Sequence, residues 1–67
     1  MDFEKFMLRV ERQKIQNPGI RYGQVLIHEL NEYRPLIAVK IRESCYYLEK
    51  GEAMNSILIQ LEEDWYA

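Results

Sequence analysis

Three breaks decide what this chain can fold into. Asn17-Pro18-Gly19, Arg34-Pro35 and Gly51 divide its 67 residues into short segments, and the apolar residues between the breaks recur at helical spacing. Pro18 disfavours the αR region for Asn17, and Gly19 accepts a positive φ, so the first segment ends there. Pro35 suits the first position of a helix, where its missing N–H is harmless. Arg34-Pro35 is therefore a boundary between two helices. Segments of this length are marginal as isolated helices in water, where about 12–15 residues is the limit even for favourable sequences. They must fold back on one another.

The spacing predicts a helix over 2–16, capped by Asp2, with Phe3, Phe6, Met7 and Val10 on one face. A second helix is expected over 21–33. Its inward stripe is Tyr22, Val25, Leu26, Leu30 and Tyr33, while Arg21, Gln24, His28, Asn31 and Glu32 face away. A third begins at Pro35 and runs through about Arg42 with Ile37 and Ile41 inward. Residues 43–51 either prolong it or form a loop anchored by the rings of Tyr46 and Tyr47, and the loop is the preferred reading. Beyond Gly51, residues Met54, Ile57, Leu58, Leu61 and Trp65 give the clearest amphipathic pattern, a fourth helix over 52–65. No stretch alternates like a strand and no repeat is present. The expected architecture is a single all-α domain over 1–67, a compact irregular bundle of about four short helices.

Composition excludes several function classes. At about 0.05–0.15 kcal/mol per residue, a chain of this length has roughly 3–10 kcal/mol of stability, too little to hold a strained, desolvated active site, so a non-enzyme is expected. Nine Lys and Arg against eleven Asp and Glu leave a net charge of −2, without the excess positive field of a general nucleic-acid binder. Cys45 is the only cysteine, which precludes an intrachain disulfide or a cysteine-rich zinc site and suits a reducing cytoplasm. No apolar run exceeds four residues, as in Leu36 to Val39, and Met1-Asp2-Phe3-Glu4 is unlike a secretory leader. Neither a membrane span nor a signal peptide is expected.

The order Asn17-Pro18, Arg21-Tyr22-Gly23-Gln24, Arg34-Pro35, Ile41-Arg42 and a terminal Leu61 to Trp65 resembles a group of short helical proteins from phages and bacterial genomes. The resemblance spans residues 3–65, and its most specific part is the Arg-Tyr-Gly-Gln segment. It implies a viral or mobile-element context, with the bacterial host cytoplasm as the site of action, and carries no catalytic residues. This chain departs from the group after Arg42. Glu43-Ser44 stands where Gly-Thr is frequent, and Cys45-Tyr46-Tyr47 where an Asp-Pro-aromatic segment follows.

Candidate chemistry is sparse. His28 and Glu32, four apart, are two metal ligands at most, too few for a structural zinc site. A nucleophilic Cys45 would need His28 brought to it by the fold. Glu62, Glu63 and Asp64 are adjacent carboxylates without an apolar pocket to separate their acidities. Gly19 and Gly23 do not make a phosphate-binding loop. No cofactor and no metal are implied.

What remains is surface. Leu8, Ile15, Ile27, Ile59 and Tyr66 lie off the inward stripes of their helices, and five such side chains either pack against neighbouring helices or converge on a partner-binding face. Residues 1–50 carry +2 and residues 51–67 carry −4. Glu62 and Glu63 stand near the negative end of their own helix dipole, which makes them suited to a basic partner or to solubility and not to helix stability. The leading expectation is a non-enzymatic protein–protein interaction module, phage- or mobile-element-encoded, acting on a host or defence protein. Ile59, Glu62, Glu63 and Tyr66 would contact the partner, and Leu8, Ile15 and Ile27 would form a second or self-association (homo-oligomer) face. The alternative is a small nucleic-acid accessory protein using Lys5, Arg9, Arg12 and Arg21, the first three of which share a stripe with Gln16 on the first helix.

Overall fold

The computed structural model describes all 67 residues as four helices without strands: α1 (Phe3–Gln16), α2 (Tyr22–Tyr33), α3 (Pro35–Cys45) and α4 (Glu52–Trp65). α1, α2 and α4 agree with the expected ranges within one residue at both ends. Asp2 caps α1, its carboxylate accepting the Lys5 N–H at 2.8 Å. At the other end of α1 the Asn17 N–H donates to the Gln13 and Lys14 carbonyls, and the Ile20 N–H closes a turn on the Asn17 carbonyl at 3.1 Å. Gly19 does not use the left-handed backbone expected of it. Pro18 at the second position supports a turn that needs only negative φ. Pro35 opens α3 as expected.

α3 runs one turn further than the expected stop at Arg42. Nothing between Arg42 and Cys45 breaks a helix, and the extra turn places Cys45 in the core, fully buried. The loop is therefore shorter, beginning at Tyr46 and ending at Gly51. The half-buried Leu48 packs against the core.

α2 lies at the centre, in contact with α1 on one flank and α3 on the other. Tyr22, Val25, Leu26, Leu30 and Tyr33 pack inward as the periodicity predicts. Ile27, expected on the surface, is instead 2% exposed. It stands one turn after Gly23, on the flank that α3 covers, so a helix with two neighbours has two buried sides. Glu29 is also buried, although charged, and its carboxylate accepts from the Arg9 guanidinium at 3.1 Å. Arg9 also sits 5.1 Å over the Tyr33 ring.

Both chain ends meet at Trp65. Its ring lies tilted against Phe6 at 4.8 Å and edge-on to Phe3 at 5.8 Å, and its indole N–H donates to the Met1 carbonyl at 3.2 Å. The Arg34 guanidinium, at the α2–α3 junction, covers the ring at 4.2 Å. The radius of gyration, 10.8 Å, is what about 67 close-packed residues should have, roughly 11 Å.

Candidate partner-binding surface

The Arg21-Tyr22-Gly23-Gln24 segment is the most specific motif in the sequence, and each of its residues grips the α3–α4 connection or the helix beside it. Arg21 faces Glu49 at 3.8 Å. The Tyr22 backbone N–H donates to the Glu49 carboxylate at 3.4 Å, and its hydroxyl donates to Glu11 at 3.2 Å. Lys50 reaches the same Glu11 oxygen at 3.0 Å and lies over the Tyr22 ring. The Gly23 N–H donates to the Leu48 carbonyl at 2.8 Å, and Gln24 donates to the Tyr46 hydroxyl at 3.1 Å. Early N–H groups of a helix lack partners within it, so this loop serves as the cap that the α2 N-terminus otherwise lacks. A Cβ on residue 23 would stand 1.7 Å from the Cys45 carbonyl oxygen. Only glycine admits that approach. Burial, followed by the charge and the hydrogen bond of Glu11, pushes the Tyr22 phenol well above its ordinary pKa. The motif is thus accounted for by packing.

The candidate chemical groups do not assemble. Cys45 is buried, its thiol pKa pushed up by desolvation. His28 is exposed and makes no hydrogen bond to it. His28, Asn31 and Glu32 border a shallow depression, and no three His, Cys, Asp or Glu side chains lie close enough to hold a metal ion. A groove of about 450 Å³ runs along α2 between the end of α1 and the last turn of α3, bordered by Gln13, Asn17, Gln24, His28, Arg42 and Tyr46. Its one uncompensated charge is Arg42, which lies 4.9 Å over the Tyr46 ring and takes part in no ion pair.

Of the residues expected on a partner face, Leu8, Ile15, Ile59, Glu62, Glu63 and Tyr66 are exposed and Ile27 is not. Leu8 and Ile15 project from one side of α1, two turns apart. Tyr66 has a second task, since its hydroxyl accepts the Phe3 N–H at 3.0 Å and so caps α1 from the far end of the chain. On α4 the wheel places Glu52, Asn55, Ser56, Ile59, Glu62 and Glu63 on one side, opposite the buried Met54, Leu61 and Trp65. Ile59 is 65% exposed in the midst of this acidic stripe. The three ion pairs of the protein are Arg9–Glu29, Arg21–Glu49 and Lys50–Glu11, so no cation of the chain neutralises Glu52, Glu62 or Glu63.

The basic residues are divided. Arg9 is held by Glu29 and Arg21 by Glu49, leaving Lys5 and Arg12 exposed and without an acidic partner. Glu29 is not among the residues expected to matter, yet a signal for it is present. It falls four residues after Val25, three after Leu26 and four before Tyr33, a carboxylate within the apolar stripe itself, and such a position calls for a cation from the facing helix.

No helix is long and apolar enough to cross a membrane. Comparison with protein-family models, with curated proteins and with solved structures gave no match to this chain.

Proposed function

We propose that this chain is a non-enzymatic protein–protein interaction module whose α4 presents Ile59, framed by Glu52, Glu62 and Glu63, to a basic partner surface with an apolar recess. The observation that carries this reading is an acidic stripe with no cation of its own, surrounding a large exposed apolar side chain. Burying Ile59 contributes about 1.5–3 kcal/mol, while the surrounding carboxylates steer encounter and reject acidic partners. Tyr66 borders the same face, with its hydroxyl engaged on α1. In the setting that the resemblance implies, the partner is a host or defence protein met in the bacterial cytoplasm. Of the basic residues weighed for nucleic acid, Lys5 and Arg12 alone lack a carboxylate, which supports the protein-partner reading over phosphate binding.

The test is the pair of replacements Glu62→Lys and Glu63→Lys. Both sites are exposed, so thermal unfolding should hardly change. Tagged parent protein is expected to retain a basic protein from extracts of its native host in a salt-sensitive manner, and the doubly substituted protein to lose it. Equal retention by the two proteins would remove this face from consideration.

A further inference from the structure

The outer side of α3 differs in kind from that of α4. Leu36, Val39, Lys40, Glu43 and Tyr47 fall within a sector about 100° wide on the helical wheel, centred opposite the buried Ala38 and Cys45. Leu36 is 85% exposed, Val39 78% and Tyr47 73%. Tyr46 keeps helical angles (φ −54°, ψ −39°), so the stripe continues through to Tyr47, whose ring stands edge-on to Tyr46 at 5.1 Å. Lys40 and Glu43 occupy the middle, and neither belongs to an ion pair. The stripe therefore reads apolar, cationic, anionic, apolar.

That order is complementary to its own reversal. We infer that α3 pairs with α3 of a second copy of this chain, antiparallel about a two-fold axis midway between Lys40 and Glu43. The axis sets Leu36 against Tyr47 of the other copy and Lys40 against its Glu43, each contact occurring twice, as an isologous interface requires. A parallel arrangement would oppose like charges. An acidic or a basic partner would satisfy one of the two central residues and repel the other, whereas a second copy satisfies both. The charge pattern thus selects the occupant. The seam is about 17 Å long at 1.5 Å per residue over the 11 residues of α3. It is too short for a standard-size interface, and the dimer is a weak one, forming in the micromolar to millimolar range. It uses a face separate from that of α4, so the two proposals stand or fall independently.

Sedimentation velocity across that concentration range tests the pairing with Lys40→Glu, Glu43→Lys and their equimolar mixture. Both sites are exposed and bond to nothing in the fold, and circular dichroism verifies that each variant is helical. The parent should dimerise. Each single variant opposes like charges twice and should associate at least about tenfold more weakly. The mixture should recover parental association as a heterodimer. In it the carboxylate introduced at position 40 of one chain meets the ammonium introduced at position 43 of the other, and the unaltered Glu43 and Lys40 meet as they do in the parent. A parent that stays monomeric at every concentration, single variants that dimerise like the parent, or a mixture that fails to recover would each overturn the inference.

Discussion

α2 and α3 are nearly equal in length, 12 and 11 residues, and each carries six hydrophobic side chains. α2 nevertheless buries seven residues, Glu29 among them, and α3 only Ala38 and Cys45. The difference lies in position and not in composition. α2 is flanked by α1 and α3, so two of its sides are covered. α3 meets α2 and, less extensively, α4, yet that packing takes only its inner side, and Leu36 and Val39 are left in solvent. In a bundle this small, the apolar residues of an outer helix remain available for a partner, while the same residues on a central helix hold the domain together.

That contrast can be broken most severely at Gly23, where α2 meets the end of α3. Gly23→Ala would place a methyl group 1.7 Å from a backbone oxygen that cannot yield without moving the helix. A loss of about 3 kcal/mol or more is expected, enough to abolish a cooperative urea transition. A transition unchanged from the parent would show that the two helices do not approach so closely. Next in size is Ile27→Ala, which removes a buried side chain from the α3-facing flank. It should lower stability by about 2–4 kcal/mol in the same measurement. Val39→Ala removes similar apolar surface from the exposed side of α3. Below the concentration at which chains associate, it should shift stability by less than about 0.5 kcal/mol. If the Ile27 and Val39 replacements had similar effects, the distinction between a central and an outer helix would fail.

Most helix ends are legible because they are written in local chemistry: Asp2 as a cap, Pro18 as a stop, Pro35 as a first residue, Gly51 as the residue before α4. Residues whose environment depends on a distant element are not. Ile27 looks surplus because a helical wheel supposes one covered side, and nothing local to Tyr22–Tyr33 announces that α3 will cover another. Cys45 reads as part of a loop for want of any signal that the core needs one more turn of α3. The exposed Leu36 and Val39 stand out in the sequence only as an apolar run, although their offset from Ile37 and Ile41 already places them on the opposite side of the helix. For the α4 face, Ile59, Glu62 and Glu63 can be read from periodicity alone. The hydroxyl bond of Tyr66 to the first turn of α1 joins residues 63 apart and leaves no trace in either neighbourhood.

Trp65 is the sole tryptophan of the chain, and it sits where Met1, Phe3, Phe6 and Arg34 converge. The protein thus contains a built-in fluorophore at the seam that joins its first and last helices. Separation of the ends withdraws the guanidinium from the indole and admits water to it. Emission wavelength then distinguishes a joined seam from an opened one without any label, even when the helices themselves persist.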